Sequence, residues 1–206
     1  FCQSQPIMPP TVQRGPLHER YRGTIFTIFE QEIRFPNGVT KTYEFCERPD
    51  SVSILAFDAQ GRLLLIRERR AGYKHNVWFL PGGRIDKKGE SPRRSALREL
   101  QEEAGFTAKH IKLLYKKSPS NTLRWNIYIF VAKDLTPAKL EGDEEFPITV
   151  VPTPLVKAVR MAKDGTIENE FIAYSIIRFY EMQKKGEFLE GQLQHERSLA
   201  DRKSVV

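Results

Sequence analysis

The order of apolar and polar positions outlines most of the elements. Residues 23–35, "GTIFTIFEQEIRF", mix β-branched and aromatic residues with polar ones and predict a strand. "PNG" at 36–38 is a turn signal and "VTKTYEFCE" then alternates, so residues 23–47 read as a β-hairpin. The apolar run at 51–57, the turn "DAQG" at 58–61 and the run "RLLLIRE" predict two buried strands. "VWFLPGG" at 77–83 reads as a short strand ending in a glycine pair. Residues 92–104 predict a helix, with Ser91 as its cap, Pro92 at its first position and Gly105 as the left-handed residue that ends it. Leu97, Leu100 and Ala104 would form its core stripe. "HIKLLYKK", "RWNIYIFVAKDL" and "ITVVP" predict three more strands, and residues 153–163 and 167–184 two more helices. Strand pairs around a central helix, with further helices near the end, make an α/β (α+β) sandwich with a mixed β-sheet. A small β lobe precedes it.

A chain of 206 residues fits one domain with such a lobe. The expected division is a flexible leader at 1–22, an N-terminal β lobe at 23–49, a main domain at 50–184 and a polar tail at 185–206. Composition adds little to this outline. Hydrophobic residues make up 40% of the chain, and no run of about 18 apolar residues exists, so no transmembrane helix is expected. Two cysteines cannot make a disulfide framework, and Cys46 reads as a reduced, half-buried thiol. A cytoplasmic location and no membrane partner are the expectations. The net charge of +7 changes the picture more. Arg62, Arg67, Arg69, Arg70 and Lys74 stand against Glu68 alone between residues 62 and 74, which favours anionic partners. No aromatic–basic interleaving marks a nucleic-acid site, so nucleic acid is a weaker candidate than a phosphate-bearing small molecule.

Candidate chemistry centres on "PGGRIDKKGESPRRSALRELQEEAGF" at 81–106. Glu99, Glu102 and Glu103 fall at i, i+3 and i+4, on one face of the predicted helix. Like charges at that spacing repel by a few tenths of a kcal/mol per pair. A solvated acidic face would tolerate this. Three features argue for more. The carboxylates are expected opposite the apolar stripe, facing a groove. Arg98 adjoins them, and the glycine-rich loop lets backbone approach whatever they hold. Clustered hard oxygens of this kind suit Mg²⁺ or Mn²⁺.

The same stretch resembles the Nudix box, G-x5-E-x7-R-E-U-x-E-E-x-G-U with U bulky and apolar. Every prescribed position matches from Glu90 through Arg98-Glu99-Leu100-Gln101-Glu102-Glu103-Ala104-Gly105-Phe106. The front departs. Six residues, 84–89, separate Gly83 from Glu90 where the pattern has five, and the Lys87-Lys88 pair marks the insertion. Outside the box, "NGVTKTYEFCERPDSVSILAFDAQGRLLLIRERR" and "IENEFIAYSIIRFYE" are similar to the ADP-ribose and nucleotide-sugar pyrophosphatase branch. The similarity covers roughly residues 23–183.

The resemblance implies a Nudix-type α/β/α sandwich and a Mg²⁺-dependent hydrolase, with Mn²⁺ as a possible substitute. Its substrate would be ADP-ribose or another nucleoside diphosphate sugar. By the same resemblance Glu99, Glu102, Glu103 and the Gly82 carbonyl hold metal. Arg98 steadies a carboxylate, and Gly83 and Glu90 shape the loop or orient Arg98. The general base is Glu99 in some family members. In the ADP-ribose branch it is a glutamate in a loop before a late strand, which Glu144 and Glu145 fit, Glu144 slightly the better. Arg48 and Arg70 resemble substrate-binding arginines, with Tyr73 and Phe29 weaker stacking candidates and Trp78 a core residue. The branch also implies a homodimer built through the N-terminal strands. Two alternatives stand beside this: a nucleoside-triphosphate or RNA 5′-end pyrophosphohydrolase, and a non-catalytic nucleotide-binding protein.

Overall fold

The structure is a computed structural model and describes residues 11–142 and 146–187. The chain forms two compact units. One gathers the residues up to Pro49 together with Ser118–Asn126; the other runs from Asp50 to Lys117 and resumes at Ile127.

The first unit is a sheet in the order β1-β2-β3-β8, built from β1 (Gln13–Arg22), β2 (Thr27–Arg34), β3 (Thr40–Glu47) and β8 (Leu123–Arg124). The β2–β3 hairpin pairs from Thr27↔Glu47 to Arg34↔Thr40. Its turn closes through Gly38, at φ 82°, where a glycine is needed. Two features depart from the sequence expectation. Residues 13–22, placed in the leader, form β1 and pair antiparallel with β2. The sequence "QRGPLHERYR" hides this because β1 is almost wholly exposed and has no buried alternation; its pairing is a backbone matter. The run read as one strand from 124 is split: Leu123–Arg124 pairs in parallel with β3, and a separate strand starts at Ile127.

The second unit holds β4 (Ser51–Ala56), β5 (Arg62–Arg69), β6 (Asn76–Phe79), α1 (Pro92–Ala104), β7 (Phe106–Lys117), β9 (Ile127–Pro137), β10 (Thr149–Pro154), α2 (Leu155–Lys163) and α3 (Glu170–Lys184). Its strands form two three-stranded sheets. In the order β4-β9-β7, β4 runs parallel to β9; the order β10-β5-β6 is antiparallel throughout. Strand parity sorts the core. Val52, Ile54 and Ala56 of β4 pack with Phe130 and Ala132 of β9 beneath α1. Leu55 of β4 and Phe57 just after it pack with Ile129 and Val131 beneath α2 and α3, around Ile176 and Phe179. Helices cover both faces, which is why β4 reads as a continuous apolar run instead of an alternating one. The result is the expected α/β/α sandwich. The last helix starts at Glu170, three residues later than its pattern suggests, because the Asn169 side chain caps it by accepting from the Ile172 N–H at 3.1 Å. Cys46 is a free, half-buried thiol. Among the described residues no helix is long and apolar enough to cross a membrane.

Candidate active site

Helix α1 is set at both ends by its sequence. Ser91 Oγ accepts from the Arg94 N–H at 3.3 Å, and Pro92 follows it. Gly105 ends the helix at φ 77°, its N–H donating to the Gln101 carbonyl at 3.2 Å. Lys139 Nζ donates to the exposed Glu102 carbonyl near that end. The buried face of α1 consists of Ser95, Ala96, Glu99, Leu100, Glu103 and Ala104. This corrects the expectation that the carboxylates oppose the apolar stripe. Ala96 and Leu100 are fully buried while Leu97 is half-buried, and Glu99 and Glu103 are each only 8% exposed.

Two glycines make that burial possible. The loop after β6 is laced to β4 by bonds from the Val52 N–H to the Gly83 carbonyl (2.9 Å) and from the Ile54 N–H to the Pro81 carbonyl (2.8 Å). A Cβ on Gly82 would stand 2.3 Å from the Val52 carbonyl oxygen, and one on Gly83 would stand 2.5 Å from Glu99 Oε2. The backbone thus passes between β4 and two carboxylates with no room for a side chain. The Gly82 N–H donates to Glu103 Oε2 at 2.6 Å. Gly82→Ala is expected to destabilise the fold by about 1–3 kcal/mol, because its clash is with backbone. Gly83→Ala is expected to displace the end of the Glu99 side chain, lowering activity more than stability. Melting curves and initial rates on the two variants separate these effects; equal loss of both quantities in Gly83→Ala would contradict the assignment.

Arg98 organises the cluster. Its Nε and Nη2 donate to the two Glu90 oxygens at 3.2 and 3.1 Å, and its Nη1 donates to Glu99 Oε1 at 2.8 Å and Glu102 Oε2 at 2.7 Å. Nη2 also reaches the Arg84 carbonyl at 3.3 Å. Burial opposes the Arg98 charge, yet Glu90, Glu99 and Glu102 hold its pKa above the ordinary arginine value. Glu99 is pushed up to about 7, chiefly by burial, with Arg98 working against the rise. Burial also lifts Glu103 well above the usual carboxylate range; the Gly82 N–H opposes this, while the charges of Glu99 and Glu68 add to it.

Glu68 is a participant that sequence reasoning missed. It is 7% exposed and accepts from Arg70 Nε at 2.6 Å. Arg70 in turn lies over the Phe79 ring, 4.0 Å from its centroid. The available signal was parity: Leu64, Ile66 and Glu68 are alternate, inward positions of β5, between exposed Arg67 and Arg69. The structure therefore brings Gly82, Gly83, Glu90, Arg98, Glu99, Glu102 and Glu103 together and sets the Glu68–Arg70 pair within electrostatic range of Glu103. Arg48 belongs to the first unit, where its guanidinium lies 5.3 Å from the Trp125 ring centroid. Trp78 is half-buried, with Arg67 over its ring. Glu144 and Glu145 lie outside the described residues.

Among the described residues no three acidic, histidine or cysteine side chains stand as a ready-made metal cage. Arg98 holds Glu99 and Glu102, and a backbone N–H holds Glu103. The donor set nevertheless fits a hard divalent cation. It is oxygen only, and two of its carboxylates are buried where burial disfavours their charge, a cost that a cation would relieve.

The decisive comparison is at the level of the domain: a NUDIX domain matches residues 47–164. The chain belongs to the Nudix family. It is similar to the ADP compounds hydrolase NudE of Escherichia coli (strain K12), 32% identical over 163 residues, 78% of this chain and 86% of that protein. It is also similar to an ADP-ribose pyrophosphatase of Bacillus subtilis (strain 168), 27% identical over 160 residues, 76% of this chain and 85% of that one. An RNA pyrophosphohydrolase of Psychrobacter cryohalolentis is 41% identical, but over 64 residues only, 31% of this chain and 34% of that protein. The crystal structure of an ADP compounds hydrolase superposes with a TM-score of 0.73 at 31% identity, covering 90% of this chain and all of that one. The Nudix chain is accordingly a hydrolase with pyrophosphohydrolase activity, and divalent-metal dependence goes with the family.

Proposed function

We propose that this Nudix hydrolase cleaves the pyrophosphate of ADP-ribose or a related nucleoside diphosphate sugar, releasing a nucleoside monophosphate and a sugar phosphate. The observation that carries the reading is the extent of similarity. ADP-ribose and ADP-compound hydrolases align over more than three quarters of the chain, whereas the RNA pyrophosphohydrolase aligns over 31% of it.

In the proposed reaction, water attacks one phosphorus and the bridging P–O bond breaks. The bridging oxygen leaves with the other phosphate, and the water proton passes to a carboxylate. Glu99, Glu102 and Glu103, with the Gly82 carbonyl, would hold the divalent ion. Bound there, the ion would neutralise phosphate charge and acidify water. Arg98 fixes the directions of Glu99 and Glu102, and the Glu90 fork fixes Arg98. Arg70, braced by Glu68 and by the Phe79 face, presents its exposed edge to a substrate phosphate, a role that suits guanidinium geometry. Glu144, or Glu145 beside it, would take the proton, with Glu99 as the alternative.

The test is product analysis with ADP-ribose, ADP-glucose, GDP-mannose and UDP-glucose in the presence of Mg²⁺. AMP and ribose 5-phosphate are expected from ADP-ribose. No turnover of any member would sink the proposal. A second reading, removal of pyrophosphate from triphosphate-ended RNA, draws on the net charge of +7 and the 41% local identity. Triphosphate RNA in the same assay decides between them, and preferential turnover of RNA would favour the second.

A further inference from the structure

The loop from Gly83 to Glu90 is one residue longer than the family pattern, and the Lys87-Lys88 pair occupies the extra length. The lengthened loop closes a turn. The Glu90 N–H donates to the Lys87 carbonyl at 3.0 Å, and Gly89 sits within the turn at φ 74°. This turn brings Lys87 back toward α1, where its Nζ stands 3.7 Å from Glu102 Oε1. The other Glu102 oxygen accepts from Arg98 Nη1 at 2.7 Å. Asp86, one residue earlier, stands 3.9 Å from Arg98 Nη2. Glu102 therefore meets a cation at each oxygen, and the two cations are of different kinds. The Arg98 side chain is 13% exposed and held by several acceptors. The Lys87 side chain is 59% exposed and ends a flexible stem.

We propose that Lys87 is a tethered competitor for the divalent ion at Glu102, so that the lengthened loop sets how tightly this enzyme holds its metal. The inference rests on the reading that Glu102 is a metal ligand. An ion approaching Glu102 Oε1 meets an ammonium already there, and like charges at that range oppose each other. Because Lys87 is exposed, the opposition is modest: its ammonium swings into water when the ion arrives, whereas Arg98 stays. Lys87 thus weakens metal binding without blocking it.

Mn²⁺ binding to the full chain, measured by calorimetry without substrate, tests this on the wild type, Lys87→Gln, Lys88→Gln and Glu102→Gln. Lys87→Gln is expected to tighten Mn²⁺ binding about two- to fivefold, the range of an exposed ion pair. The gain should shrink as KCl is raised. Lys88→Gln removes the same charge from the same loop and is expected to leave the affinity near wild type. Affinity unchanged or weakened in Lys87→Gln would overturn the proposal. So would an equal gain in Lys88→Gln, which would assign the effect to the general basic field. Both results leave Glu102 as a ligand if Glu102→Gln still weakens binding. A wild type that binds no Mn²⁺, or a Glu102→Gln variant that binds as well as wild type, removes the metal reading itself.

Discussion

Glu102→Gln is expected to lower kcat on ADP-ribose, the proposed substrate, by on the order of 10²–10³, the scale on which loss of one electrostatic stabiliser acts, while the protein stays folded. The substitution keeps size and shape, and a glutamine oxygen can still accept from Arg98 Nη1. The Glu102 side chain meets Lys87 and Arg98, so a change that keeps its shape leaves the packing around it in place. What disappears is one negative charge among the oxygens proposed to hold the divalent ion. Initial rates over a Mg²⁺ series, with melting curves on the same samples, check it. Full activity with normal metal dependence would remove Glu102 from the site; a large drop in melting temperature would show that its role is structural.

Arg98→Met is expected to have the largest effect on stability. The guanidinium ties together Glu90, Glu99 and Glu102, whose side chains are at least as shielded from water as its own. Methionine keeps much of the stem and removes the charge, leaving three carboxylates beside one another. Breaking a buried pair from one side costs about 3 kcal/mol or more. For a domain of this size that corresponds to a fall of roughly 6–12 °C in melting temperature. Turnover should fall as well, by about 10–100-fold, since the carboxylates proposed as metal ligands lose their orientation. Glu90→Gln in the Arg98→Met background gives the sharper measurement. If Glu90 serves to hold Arg98, its substitution costs stability in the wild type and almost none once Arg98 is gone. Additive losses would mean that Glu90 acts independently. An unchanged melting temperature in Arg98→Met would show that the cluster contributes no net stability.

Much of the second unit was legible in the pattern. Helix α1 runs from Pro92 to Ala104 as expected, because Ser91, Pro92 and Gly105 are local signals whose chemistry acts within one turn. The strands from Ser51 to Phe79 were legible because burial on both faces writes itself as unbroken apolar runs. β1 was not, since an exposed edge strand is held by backbone pairing, and a charged sequence such as "HERYR" leaves no period to detect.

The candidate site divides in the same way. Local spacing by itself set Glu99, Glu102 and Glu103 on one helical turn with Arg98 among them, because a helix fixes which residues are neighbours at i, i+3 and i+4. Only the tertiary structure decided that Glu99 and Glu103 are buried, that Gly82 and Gly83 leave room for them, and that Glu68 braces Arg70. It also decided that Lys87 reaches Glu102. Each of those facts depends on packing between elements distant in sequence. Burial of a charge is a property of what lies across the gap, and the spacing of residues along the chain carries no record of it.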